Sequence, residues 1–252
     1  DEDSFRSFID FQIDGGIHGV VPVGTTGESP TLSHEEHKKV VEICIDQTKK
    51  KVPVIAGTGS NNTEEAIDLT RHAEKVGADA ALIVTPYYNK PTQRGMYEHF
   101  ESISKNSSIP IIIYNIPGRS VINMTNETMK KLFKLKNIVG VKDATADIPR
   151  VYSSRIEIGK DFNLLTGDDA TCFAFMLYGG HGAISVTANI APKLCSDFMN
   201  FCLDGNFLEA AKINDLLMPL HIALFVESSP GPIKYAASKL GLCSSEIRLP
   251  LT

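Results

Sequence analysis

No apolar run in this chain approaches the roughly 18–20 residues that a membrane-spanning helix needs. The opening residues, Asp1-Glu2-Asp3-Ser4, have nothing of a secretion signal. Five cysteines, an odd number scattered along the chain, leave no disulfide framework to propose. Seven dispersed histidines form no HExxH, and there is no CxxC, so the expectation is a protein without a metal. Basic residues are not clustered and the net charge is −5, which removes any reason to look for nucleic acid or an acidic membrane surface. A nucleotide fingerprint of the GxGxxG type is missing after the first apolar run. Gly57-Thr58-Gly59 is only a fragment of one. What remains is a cytoplasmic protein with ample apolar content for a core.

The apolar content is periodic. Gly19 to Gly24, Val52 to Gly57, Ala80 to Val84, Pro110 to Ile113, Ile138 to Ala144, Asn163 to Asp168 and Gly182 to Val186 read as seven strands. Each is followed by a helical pattern. The first of these helices, after Gly24, starts at a Ser33/Glu36 capping box, with Lys49 to Lys51 placed in its last turn. The strands are continuous apolar runs rather than alternating ones, so both faces should be covered, as in a parallel sheet. A (β/α)8 barrel fits best. Residues 1–16 read as the helix that follows a first strand, so the reading expects that strand to be missing from the chain, through truncation or disorder. It divides the chain into a barrel over 1–188 and a C-terminal helical extension over 189–252, broken at Pro219 and again at Ser228 to Pro232.

Unusual polar residues gather where strands end: Thr25 and Thr26, Tyr87 and Tyr88, Tyr114, Lys142, Gly167 and Asp168, with Ile184 closing the series. In a barrel such ends converge on one mouth. Lysine is rarely buried, because desolvating an ammonium is costly. A buried lysine that loses its proton becomes a nucleophile able to form a Schiff base with a carbonyl substrate. Alone, Lys142 reads more plainly as a strand-end lysine reaching solvent or pairing with Asp143. A threonine pair is more often a helix-entry turn, and a tyrosine after a strand more often a rim aromatic. Their convergence tips the reading towards imine chemistry: Tyr114 to move protons, the Thr25 and Thr26 hydroxyls to hold a carboxylate, and Arg119 to clamp a second one.

Gly24-Thr25-Thr26-Gly27-Glu28, Tyr114-Asn115-Ile116-Pro117-Gly118-Arg119 and Gly140-Val141-Lys142-Asp143-Ala144 resemble the motifs of the dihydrodipicolinate synthase / N-acetylneuraminate lyase family of class I aldolases. Val84-Thr85-Pro86-Tyr87-Tyr88-Asn89, Leu165 to Asp169 and Gly182 to Thr187 follow in the order and spacing of that family. The resemblance implies an imine between Lys142 and pyruvate, with no cofactor. It implies a relay of Tyr114, Thr26 and Tyr88, the last crossing from a neighbouring subunit of a tetramer. Thr25 and Thr26 would hold the pyruvate carboxylate, Ile184 would line the pocket, Arg119 would bind the carboxylate of the second substrate, L-aspartate 4-semialdehyde, and Gly167 and Asp168 would be further substrate-binding positions. It further implies an inhibitory L-lysine pocket at Ser29, His34, His37, Asn61, Glu65 and Tyr87. Two positions depart from the family pattern: Ser229 stands where an asparagine is usual, and Asp143 where glutamate is common. The rival readings are a sister aldolase acting on a sugar acid and a silent barrel that binds a 2-oxo acid.

Overall fold

Lys49 and Lys50 both adopt left-handed backbone conformations (φ 49° and 60°), and they show how local chemistry sets the element boundaries in the computed structural model, which describes residues 1–252. Helix α2 (His34–Thr48) opens on the full capping box, with Ser33 accepting from the Glu36 amide and Glu36 accepting from the Ser33 amide. It stops at Thr48, so the three lysines lie beyond its last turn instead of within it. They still follow the negative end of the helix dipole. The chain forms two compact units, residues 1–54 with 185–252, and residues 55–184.

The first unit is helical: α1 (Glu2–Asp14), α2, α9 (Pro192–Leu203), α10 (Phe207–Ala223) and α11 (Gly231–Lys239). Helix α1 packs on α2 and α9, and α9 packs on α10. Ile9, Cys44 and Val54 form a small core, closed by Phe5, Ile13, Val20 and Ile45. Residues far apart in sequence are stitched together. Gln12 donates to the Asn189 carbonyl (3.1 Å), and Ser196 donates to that of Gly16 (2.6 Å). The stretch 19–24, read above as a strand, makes only a single bridge, Val20 to Val54. Pro22 cannot donate to a ladder, and Val23 turns the backbone to φ 51°, so pairing ends there. Proline also failed to break α10, which continues through Pro219 to Ala223. Leu217 and His221 on either side are buried, and His221 is hydrogen-bonded to Thr187 (2.7 Å), so packing outweighs the one lost backbone bond.

The second unit is a six-stranded parallel sheet whose strands lie in chain order: β1 (Ile55–Gly57), β2 (Ala80–Val84), β3 (Ile111–Asn115), β4 (Ile138–Asp143), β5 (Asn163–Thr166) and β6 (Gly182–Ala183). Six strands are observed, not seven. Between them run α3 (Thr63–Val76), α4 (Gln93–Lys105), α5 (Pro117–Ser120), α6 (Asn126–Leu132), α7 (Ile148–Glu157) and α8 (Cys172–Leu177). Every residue of β3 is buried, which a strand requires when both its faces are covered. Ile83, Ile111, Ile113 and Ile138 of the strands and Phe100, Ile103 and Met129 of the helices are all essentially inaccessible. The register steps by one residue between Ile111 and Ile112, so that Ile112 faces Gly140 and Tyr114 faces Lys142. No helix is long and apolar enough to cross a membrane.

Candidate active site

Tyr114 and Lys142 are register partners near the ends of β3 and β4. The Lys142 Nζ stands 4.3 Å from the centroid of the Tyr114 ring, over its face. Tyr114 is buried and Lys142 half-buried. Desolvation pushes the Lys142 ammonium down to about 8, and the buried Asp169 carboxylate opposes that shift without cancelling it. Near pH 7.5 about a quarter of such a population carries the free amine, against roughly one in a thousand for an unperturbed lysine. Gly167 makes room for this side chain. A Cβ added there would lie 2.6 Å from the Lys142 Cε and 2.9 Å from the Ala144 Cβ. The Gly167 amide also donates to the Asp143 carbonyl (2.8 Å), tying β5 to the end of β4.

The second unit also holds several other residues read from sequence. The Ile184 amide donates to the Thr166 carbonyl (2.9 Å), which holds the half-buried Ile184 at the end of β6. Arg119 is exposed on the single turn of α5. Asp168 spends its carboxylate locally, accepting from the Thr171 amide (3.0 Å) and hydroxyl (2.6 Å) ahead of α8. Its neighbour Asp169 is the carboxylate that acts on Lys142. Tyr88 is 88% exposed and holds a left-handed backbone at φ 67°.

Three of the six residues assigned to a lysine pocket come together here. The Asn61 side-chain amide donates to the Tyr87 carbonyl (3.2 Å), and Asn89 returns a bond to the Asn61 carbonyl (2.9 Å). Glu65 accepts from the Ser60 hydroxyl. Burial, and then the charge of Glu65, raise the Tyr87 phenol above its ordinary value, while a backbone hydrogen bond with Asn61 works the other way.

The remaining candidates belong to the first unit. Thr25 and Thr26 are half-buried in a turn closed by the Glu28 amide donating to the Thr25 carbonyl (3.1 Å). Glu28 has φ 57° and anchors the turn from below. Its carboxylate meets Lys234 of α11 at 2.5 Å and accepts from the Arg248 amide at 3.1 Å. Ser29 opens a short 3-10 turn, His34 is exposed at the start of α2, and His37, one turn on, is buried.

Sequence reasoning overlooked Asp169, Asn115 and Arg150. Asp169 is the second of two adjacent aspartates, and only the alternation of side chains along an extended segment hints at which one faces inward. Asn115 lies inside the Tyr114 to Arg119 motif without a role read for it, and Arg150 lies in no motif, although it follows Asp143 by seven residues and meets it at 2.8 Å.

The sequence profile of the Dihydrodipicolinate synthetase family matches residues 1–252. The chain is 60% identical over 251 residues to 4-hydroxy-tetrahydrodipicolinate synthase of Afipia carboxidovorans, covering 100% of this chain and 85% of that protein. Among solved structures, chloride-inhibited dihydrodipicolinate synthase from Acinetobacter baumannii in complex with pyruvate superposes with a TM-score of 0.98 at 45% identity, covering 100% of this chain and 87% of that one. The enzyme from Cyanidioschyzon merolae with lysine bound gives 0.96 at 38% identity, covering 100% and 86%.

Proposed function

The chain belongs to the dihydrodipicolinate synthetase family, and from that premise we infer that it condenses pyruvate with L-aspartate 4-semialdehyde to give 4-hydroxy-tetrahydrodipicolinate on the route to diaminopimelate and lysine. The observation that carries the reading is Lys142: an amine held over an aromatic face at a strand end, with its pKa pushed down to about 8.

The neutral amine adds to the pyruvate ketone, and loss of water from the carbinolamine leaves the imine. A methyl proton departs to give the enamine, whose carbon attacks the aldehyde of the second substrate. The amine of that substrate then adds to the imine carbon, closing the ring and expelling Lys142. The electron sink is the enzyme's own nitrogen. In this scheme Tyr114, Thr26 and Tyr88 move protons, Thr25 and Thr26 hold the pyruvate carboxylate, and the Ile184 carbonyl lines the pocket. Arg119 takes the carboxylate of the semialdehyde through its planar guanidinium, with Gly167 and Asp168 as further substrate-binding positions.

The reading extends to the whole assembly. The sheet of residues 55–184 forms most of a (β/α)8 barrel, supported by its strand order and by a helix in each crossover. Ser29, His34, His37, Asn61, Glu65 and Tyr87 bind L-lysine as an inhibitor, supported by the Asn61, Glu65 and Tyr87 cluster and by the lysine-bound relative. The enzyme works as a cytoplasmic tetramer in which Tyr88 reaches a partner's site.

Incubation with pyruvate and borohydride tests the chemistry directly. A reduced pyruvyl mass should appear on the peptide bearing Lys142 and vanish in Lys142→Arg, whose guanidinium stays protonated. An adduct on another lysine, or none, overturns the assignment.

A further inference from the structure

Successive residues of a strand face opposite sides, so the Tyr114/Lys142 pair has a reverse side. It is formed by the next register pair, Asn115 and Asp143. Asn115 is wholly inaccessible, and the side chains of Asp143 and its partner Arg150 are only 12% and 14% exposed. The Asp143 carboxylate is surrounded by donors. One oxygen takes the Thr145 amide (2.9 Å) and hydroxyl (2.5 Å), and the other takes the Arg150 Nε (2.8 Å) and, more weakly, the Asn115 amide (3.5 Å).

Arg150 comes from α7 and uses a second arm to donate to the Met124 carbonyl. The amide of the same residue donates to Asn115 Oδ1 at 3.0 Å, and Asn115 Nδ2 donates to Asn123 Oδ1 at 2.8 Å. The Met124 residue is therefore gripped at its N–H by β3 and at its carbonyl by α7. The segment 116–125, which carries Arg119, is tied to both strand ends at once. A buried ion pair of this kind yields little net stability over apolar residues of the same volume, because desolvation offsets the attraction. What the network supplies is definition of position.

We propose that Asp143 and Arg150 are positioning residues for the imine reaction: from the reverse side of the sheet they fix the end of β4 against the end of β3, and so hold the Lys142 amine over the Tyr114 ring. Neither residue touches substrate. The inference rests on Lys142 being the imine-forming lysine. Its signature is a loss in the covalent step with pyruvate binding spared, since misplacing a reacting group by about 1 Å costs on the order of 100-fold in rate.

Three variants of the chain, Arg150→Met, Asp143→Asn and Arg150→Lys, are compared with Val151→Ala, which removes buried volume beside the network without deleting any of its hydrogen bonds. The rate of borohydride-trapped adduct on Lys142, kcat and the KM for pyruvate are measured well below each variant's melting temperature. Arg150→Met and Asp143→Asn should lose 10- to 100-fold in both trapping rate and kcat, with KM within threefold. Arg150→Lys keeps the charge but not both contacts, and should fall between them and the wild type. Val151→Ala should stay within twofold. If Arg150→Met does not fold, the comparison of Arg150→Lys with Val151→Ala decides alone. Wild-type trapping rates in the network variants, or an equal loss in Val151→Ala, overturn the proposal. Absence of any Lys142 adduct in the wild type overturns the imine assignment itself, and the positioning role with it.

Discussion

For Lys142, the pKa of about 8 sets both reactivity and stability. Trapping by pyruvate and borohydride should rise about tenfold per pH unit below 8 and level off above it, because only the free amine attacks. A profile still rising steeply beyond pH 9 would show an unperturbed lysine. The stability consequence has a definite sign. The folded-state pKa lies below the unfolded value of about 10.4, so at neutral pH folding confines an ammonium where it is disfavoured. Lys142→Met should therefore raise stability at pH 7, by about 3 kcal/mol from the size of the shift. The gain should shrink as pH climbs from 8 and disappear above about 10.4. Thermal melts at pH 7 and pH 10 check it, and a pH-independent difference would refute it. Lys142 was singled out in the sequence by the other polar residues gathered at strand ends, since alone it reads as a lysine reaching solvent. Asp169 was not, since one of two adjacent carboxylates faces in and composition does not say which.

Among the elements, the parallel strands were readable because burial on both faces demands unbroken apolar runs, and the start of α2 because Ser33 and Glu36 make a capping box. The failures have local causes. Residues 19–24 have strand-like composition, yet Pro22 and the left-handed Val23 leave one bridge. At Pro219 the helix-breaking tendency is real but smaller than the anchoring of Leu217 and His221. The segment between β1 and α3 carries a prediction of its own. Glu65, fixed by Ser60 close to Tyr87, is the group that can pair a ligand ammonium. Glu65→Ala should abolish inhibition by millimolar L-lysine while leaving uninhibited turnover within twofold. Calorimetry showing unchanged lysine binding to the variant would exclude Glu65 from the pocket.

Across the whole molecule, the proposal of a partner chain rests on the exposure of Tyr88. An aromatic side chain 88% exposed on a left-handed backbone gains nothing from its own fold, and Val121 repeats the pattern at 65% exposed and φ 68°. Tyr88→Phe should lower kcat about tenfold or more while Lys142 still accepts pyruvate, and sedimentation at assay concentration should show an oligomer. A single chain with full activity would remove the assigned role. Tyr88 was singled out from its motif, but its exposure could not be, because exposure depends on distant packing. The same holds for the pairing of residues 1–54 with 185–252, which no local pattern announces.

That pairing imposes an order on folding. Contacts within residues 55–184 link neighbours along the chain, strand to following helix to next strand, and such short loops close quickly. The first 54 residues reach the ribosome's exit earlier, yet Gln12 and Gly16 meet their partners only once Asn189 and Ser196 have been made. Residues 1–54 therefore complete their packing after the sheet that follows them, although their own small core of Ile9, Cys44 and Val54 needs no later residue.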